Sequence, residues 1–488
     1  MKRAKVVVRP EITMGRIRPE LYGHFSEHIG RCVYDGLWVS TDSEITNQGG
    51  IRSDTVDALR ATKPPVLRWP GGCFADNYHW EDGIGPRESR PRRANVWWDQ
   101  QDSNAFGTHE FLDLCERLGT APYICLNVGS GTPKEALEWL EYCNYAGDST
   151  LARRRAENGR SEPWGVRWWG VGNENWGCGG NFAARDYAKE YRRFTTYLRR
   201  FDGSARLIAC GDTRGNWNAE FLDELRGNLN LVDHVSIHRY VNAGPGRDFS
   251  HDDYCKLMAS VDIMEEDIRA AAGVIRSYTR NDRFIGVILD EWGVWHPEAN
   301  AQTGYLQPNT LRDGLFAASA LHMFHRHTDV LTMTNIAQTI NVLQCLVETD
   351  GANIALTPTY HAYDMLKTHQ NAEAIHVVTE SPSVAYSASG KSACISALDI
   401  AASHGSDGSL TVSVVNRDPD SSIEAEIQIR GDNLTSVSGK VLTADAPDAV
   451  NAPGGRADVA PKDVDVVFRS GTIVREFPAR SLTVFRIK

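Results

Sequence analysis

Two glutamates offer the sharpest chemistry in this sequence. Glu174 closes the run VRWWGVGNE and Glu291 closes FIGVILDE, so each follows an apolar, strand-like stretch and stands beside tryptophan. A carboxylate at the tip of a buried strand is costly to desolvate unless it is paired or put to use. Two such groups facing one ligand are what cleavage of a glycosidic bond requires, one as acid and the other as nucleophile or base. Other polar residues stand at the ends of similar runs. HFSEHIGR offers His24, Glu27 and His28; RWPGGCF offers Arg68 and a Gly71–Gly72 turn; GNEN adds Asn173 and Asn175. SIHRY offers His238 and Tyr240, LDEWG adds Asp290 and Trp292, and Gln338 and Asn341 come last. Glu27 and His28 are adjacent, so on a strand they point to opposite faces. Glu27 is assigned to the ligand side and His28 to a structural role. Trp176, Trp292 and Trp295 are equally suited to packing and to stacking on a sugar face.

The elements that must position these residues alternate along the chain. Strand patterns are expected at Leu21–Ser26, Pro65–Trp69, Pro122–Asn127, Val166–Gly172, Arg206–Cys210, His234–Tyr240, Phe284–Leu289 and Val330–Ile336. Helical patterns lie between them; in FAARDYAKEYRRFTTYLRRF, for example, Phe182, Tyr187, Tyr191, Phe194 and Leu198 share one face. Strands alternating with helices in this number fit a (β/α)8 barrel, whose active sites form at the C-terminal ends of the strands. The fourth and seventh strands of such a barrel lie nearly opposite each other, which turns Glu174 and Glu291 toward one centre. A doubly wound open sheet is the alternative, but no G-x-G-x-x-G opens a helix. Beyond about residue 372 the texture changes to period-two alternation, as in SLTVSVVNRD and SLTVFRIK, the mark of an antiparallel β-sandwich. The opening run KVVVRPEI has the same texture. The expected organisation is an N-terminal strand (1–18) joining a jelly-roll-like C-terminal β-sandwich (372–488), with a catalytic barrel (19–371) between them.

Composition narrows the partners. A net charge of −11 repels phosphate backbones, which disfavours nucleic acid and anionic membrane surfaces. The basic N-terminus lacks the apolar run and cleavage site of a signal peptide, and no apolar stretch reaches membrane-spanning length. The ten cysteines are scattered without a C-x-x-C pair. They read as reduced, several as small buried hydrophobes, in a cytoplasmic protein with no metal site built from cysteine.

The runs GHFSEHIGR, LRWPGGCFADNYHWEDGIGP, WWGVGNENWGCGG, SIHRY and LDEWG, in this order, resemble the alpha-L-arabinofuranosidases of glycoside hydrolase family 51. The resemblance covers nearly the whole chain. It implies a retaining exo-hydrolase without a cofactor, acting on arabinose-containing oligosaccharides, with Glu174 as general acid/base and Glu291 as nucleophile. It further implies that Glu27, Asn173, Tyr240 and Gln338 bind the terminal furanose, that Arg68 and His238 orient and charge-balance the glutamates, and that the protein forms a homo-oligomer, often a hexamer in this family. Cys73 stands where some relatives carry an asparagine that contacts the sugar. A thiol is a weaker hydrogen-bond partner. Neighbouring specificities (beta-D-galactofuranoside, beta-D-xyloside, beta-glucan) stay open. So do two rivals: a metal-dependent sugar isomerase using Glu27, Glu174, Asp212, His238 and Glu291, and a non-catalytic carbohydrate-binding protein.

Overall fold

The computed structural model describes residues 2–280, 282–430 and 436–488. After a long first strand, β1 (Lys2–Arg16), eight parallel strands close into a barrel. They are β2 (Gly23–Phe25), β3 (Val66–Trp69), β4 (Ala121–Leu126), β5 (Trp168–Val171), β6 (Arg206–Cys210), β7 (His234–Val241), β8 (Gly286–Val294) and β9 (Leu331–Ala337). Each falls on one of the apolar runs identified in the sequence, because a strand covered on both faces must be apolar throughout rather than alternating. Every residue of β8 and β9 is buried. Val66, Tyr123, Ile208, Ile288 and Met333 pack together inside the barrel. The helix α1 (Ala184–Phe201) buries Tyr187, Tyr191, Phe194 and Leu198, while Phe182 lies just before its start.

The C-terminal domain is the expected, mostly antiparallel sheet domain. Among the described residues, hydrogen bonds run continuously through ten strands. Its principal members are β10 (Glu373–Glu380), β11 (Leu398–His404), β12 (Leu410–Asn416), β13 (Ile423–Ile429), β14 (Val437–Leu442), β15 (Thr472–Phe477) and β16 (Ser481–Ile487). Strand β1 sits between β10 and β13, antiparallel to the first and parallel to the second. The chain thus starts in the sheet domain, leaves it to build the barrel, and returns.

Helix α2 (Leu311–His325) is buried along its whole length between barrel and sheet. Its polar residues make a connected network across that boundary. His322 bonds Asp399 (3.1 Å) and the Ser413 hydroxyl (2.7 Å), and His369 bonds Ser413 (2.9 Å) and Ser403 (2.7 Å). His325 meets the Tyr22 hydroxyl at 2.9 Å. Burial pushes the His369 imidazole down to about 3 and that of His325 well below its usual range, the neighbouring histidines adding to the effect. A histidine with a depressed folded pKa contributes stability that is intact above about pH 6.5 and is lost as pH falls toward the folded value. At pH 5 His369 is expected to cost about 2 kcal/mol, and His325 acts in the same direction. Thermal unfolding between pH 7 and 4.5 checks this. The midpoint should fall with pH, and His369→Asn should flatten the fall; an unchanged slope in that variant would remove His369 from the cause.

Candidate active site

The chemistry gathers where the barrel strands end. Arg68, on β3, is fully buried at the centre. Its Nη1 donates to Glu291 Oε1 at 2.7 Å, its Nη2 donates to Asn173 Oδ1 at 2.6 Å, and its Nε lies 3.5 Å from Asp290 Oδ2. Tyr240, on β7, donates its hydroxyl to the other Glu291 oxygen at 2.8 Å. His238 Nδ1 sits 2.9 Å from Glu174 Oε1 and 3.7 Å from Glu291 Oε2, bridging the two glutamates. One ligand-capable atom from each of Glu174, His238 and Glu291 lies within 4.8 Å of the others. Glu27 faces the same space. Its Oε1 accepts the Phe74 N–H and the Trp98 indole N–H, both at 3.0 Å, and its Oε2 accepts from the Gln338 amide at 3.3 Å.

A register shift makes this convergence possible. Strand β7 pairs Ile237 with Leu289 but His238 with Glu291, so Asp290 is an extra residue in β8. In a regular strand Asp290 and Glu291 would point to opposite faces; a bulge re-aims side chains, and here both reach Arg68. Asp290 is anchored in turn by the Tyr123 hydroxyl (2.8 Å) and the Asn335 amide (3.0 Å). Gly71 and Gly72 let the backbone pass close against the Glu27 side chain. A Cβ on either would lie 2.8–2.9 Å from the Glu27 side chain.

The electrostatics separate the carboxylates. Burial would push the Glu291 carboxyl up, but the charges of His238 and Arg68 and the hydrogen bonds from Arg68 and Tyr240 outweigh it and hold it below the usual range. Burial also works against charge on His238, yet the charges of Glu291 and Glu174 raise its pKa overall. Glu27 is pushed up to about 7 by burial and by the charge of Glu291. Glu174 keeps 21% of its side-chain surface exposed against 7% for Glu291. One glutamate is therefore reachable from the mouth, while the other is held deeper and ionised.

Sequence comparison places the whole chain among known proteins. A family model described as "Alpha-L-arabinofuranosidase 1 domain" matches residues 58–255, and one described as "Alpha-L-arabinofuranosidase C-terminal domain" matches residues 290–481. An intracellular exo-alpha-L-arabinofuranosidase of Bacteroides ovatus is 38% identical, the match covering 100% of this chain and 96% of the relative. The chain belongs to the alpha-L-arabinofuranosidases of glycoside hydrolase family 51. Solved structures concur. The family 51 arabinofuranosidase from Xanthomonas axonopodis pv. citri superimposes with a TM-score of 0.93 at 34% identity, over 100% of both chains. An arabinose complex of the Thermotoga maritima alpha-L-arabinofuranosidase gives 0.90 at 31%, over 99% of both. This membership sets aside the sugar isomerase. Asp212, one of the metal ligands that reading needed, instead holds its own loop, accepting the Thr213 N–H at 2.7 Å.

Two expectations about this arabinofuranosidase need correction. The cysteines are not all free: Cys73 is joined to Cys178, with 5.5 Å between their Cα atoms. The Cys73 sulfur therefore has no S–H to donate to a sugar, and a contact through a thiol at that position is withdrawn. The pair is separated by 105 residues, and only closure of the barrel brings the loops after β3 and β5 together. The other cysteines are free, all buried except Cys394. His28 is structural as expected, its Nε2 accepting the Trp69 indole N–H at 3.0 Å and its ring stacked on Phe74. Of the tryptophans, Trp292 is fully buried against Phe324, and Trp176 lies beneath the Arg214 guanidinium. Trp295 packs edge-on to Tyr240 beside Trp98 and Tyr305. Trp98 was not legible as a site residue, because NVWWDQQ carries no strand-end signature.

Asp76 was missed as well. It is buried, and its Oδ1 accepts the N–H groups of Val128 (2.8 Å) and Gly129 (2.7 Å) while its Oδ2 accepts that of Asn173 (2.7 Å). It thereby ties the loop after β4 to the residue preceding Glu174, which itself holds a left-handed backbone at φ 43°. A non-glycine residue keeps that conformation only where its surroundings enforce it. Asp76→Asn turns one acceptor into a donor facing a backbone N–H. Its kcat on an aryl arabinofuranoside is expected to fall on the order of 10²-fold, as displacement of a catalytic group by about 1 Å does, with KM little changed. A change confined to KM would show that Asp76 does not position the Glu174 loop.

Proposed function

We propose that the protein is a retaining, exo-acting alpha-L-arabinofuranosidase that releases terminal non-reducing arabinofuranose from arabinan- or arabinoxylan-derived oligosaccharides. The observation that carries the mechanism is the closeness of Glu174 and Glu291, with carboxylate oxygens within 4.8 Å of each other. Retaining glycosidases hold their carboxyl groups ~5–5.5 Å apart, whereas inverting ones need ~6.5–9.5 Å to admit a water. Glu291, ionised and held by Arg68 and Tyr240, attacks the anomeric carbon. Glu174, nearer the mouth, protonates the leaving oxygen and then activates water. Glu27, Asn173, Tyr240 and Gln338 bind the furanose, and His238 couples the two glutamates. No metal takes part in the reaction.

The exo reading is supported by the Bacteroides ovatus relative, which is described as an intracellular exo-alpha-L-arabinofuranosidase. A cytoplasmic location suits imported short oligosaccharides, and no described helix is long and apolar enough to cross a membrane. The test is a panel of aryl furanosides and pyranosides assayed with and without EDTA, followed by branched arabinan. The alpha-L-arabinofuranoside should be the best substrate, EDTA should change nothing, and free arabinose should appear before any internal cut. NMR should show the first-formed sugar with retained configuration. Inversion, internal cleavage first, or loss of activity in EDTA would each overturn the corresponding part.

A further inference from the structure

The Cys73–Cys178 pair lies against Glu174 and has no role in the double displacement. Cys178 Sγ is 3.8 Å from Glu174 Oε2, while the other Glu174 oxygen, Oε1, is the one that meets His238. A ligand atom from each of Cys73, Glu174 and Cys178 lies within 4.8 Å of the others, and all three side chains are partly open to solvent. The free cysteines, Cys394 excepted, are buried. From this cluster we propose that, once the disulfide is reduced, Cys73, Cys178 and Glu174 form an inhibitory binding site for a thiophilic divalent cation such as Zn2+ or Cd2+.

A small dithiol delivers two electrons and two protons to the Sγ–Sγ bond and is itself oxidised to a disulfide, leaving two thiols. The cation then displaces both thiol protons to solvent, since the thiolate is the ligand. Two sulfurs bound at ~2.3 Å in a tetrahedral site stand about 3.8 Å apart, a separation that side-chain rotation can reach from Cα atoms 5.5 Å apart. Glu174 Oε2, already on the Cys178 side, supplies the third ligand, and water can take the fourth. Borderline-soft cations favour this mixture of thiolate and carboxylate. In the oxidised protein neither sulfur carries the negative charge a cation needs, so the disulfide keeps the site closed. The inhibitory half rests on the reading of Glu174 as acid/base, because a carboxylate held by a cation can neither give nor take the proton. The binding half rests on geometry alone.

The experiment titrates Cd2+ into the full chain, as purified and after reduction with a dithiol and anaerobic desalting. Thiolate-to-cadmium charge-transfer absorption and aryl arabinofuranosidase activity are followed together. The reduced protein is expected to bind one Cd2+ per chain with the thiolate band, on the order of 100-fold more tightly than the oxidised protein. Activity should fall with occupancy and return on adding EDTA. Cys178→Ser and Cys73→Ser, each checked for folding by circular dichroism, should lose the tight phase, and Glu174→Gln should keep the band but weaken binding. Absence of the band after reduction, or equal binding before and after it, would overturn the site. The second result would point to the Glu174, His238 and Glu291 trio instead. Full cadmium binding with undiminished activity would leave the site standing and overturn the role of Glu174.

Discussion

Glu291→Ala is expected to lose turnover on every substrate, activated aryl glycosides included, by on the order of 10⁵-fold or more, the scale on which removing a covalent nucleophile acts. No leaving group is good enough to replace the missing carboxylate, because the first bond to the anomeric carbon is the one that cannot form. Truncation also leaves Arg68 with one partner fewer. Removing one member of a buried ion pair costs ~3–5 kcal/mol, although Asn173 and Asp290 still hold the guanidinium. Glu291→Gln keeps a hydrogen-bond acceptor for Arg68 and should be equally inactive while unfolding close to wild type, which separates lost chemistry from lost stability. Added azide can enter the space left in Glu291→Ala and attack from that same face. The product would then be a glycosyl azide of inverted configuration, formed in a single displacement. Residual turnover of aryl substrates near the wild-type rate, or an azide product of retained configuration, would mean that Glu291 is not the nucleophile.

Glu174→Ala should behave differently with each leaving group. Loss of general acid catalysis costs ~10²–10⁴-fold on natural oligosaccharides, whose alkoxide leaves poorly. A dinitrophenyl arabinofuranoside needs no proton, so its first step should survive and a burst of dinitrophenol should precede slow turnover. The slow step is then hydrolysis of the glycosyl-enzyme, which lacks its base. Azide needs no deprotonation, so it should speed that step and yield a glycosyl azide of retained configuration, the opposite stereochemistry to the product from Glu291→Ala. An inverted azide here, or an equal loss of rate on dinitrophenyl and oligosaccharide substrates, would exchange or abolish the assigned roles. The exposure of the two side chains agrees with the assignment. Glu291 is the deeper and more strongly hydrogen-bonded of the two, as a proposed nucleophile should be, and Glu174 the more open.

Much of the site was legible in one dimension. Eight apolar runs of strand length mark the barrel strands because such strands are buried on both faces, a property of each segment alone. Glu27, Arg68, Asn173, Glu174, His238, Tyr240, Glu291 and Gln338 stand at the ends of those runs, and the structure brings them together. The barrel supplies the geometry whatever its loops do, so a strand-end position already implies a shared centre. The fit of β1 into the sheet domain was also visible, as a period-two pattern like that of the C-terminal strands.

What tertiary structure alone decided depends on closure and register. Asp290 and Glu291 both reach Arg68 only because β8 carries one residue more than β7 at that point, and strand periodicity without the bulge would place them on opposite faces. The Cys73–Cys178 bond, the backbone bonds of Asp76 and the indole of Trp98 over Glu27 each join segments distant in sequence, whose local patterns carry no mark of the partner. The buried histidines of α2 read as ordinary helix residues until a second domain covers them. Local patterns report burial and periodicity, which a segment possesses by itself; a pairing belongs to two segments at once, and only the packed chain contains it.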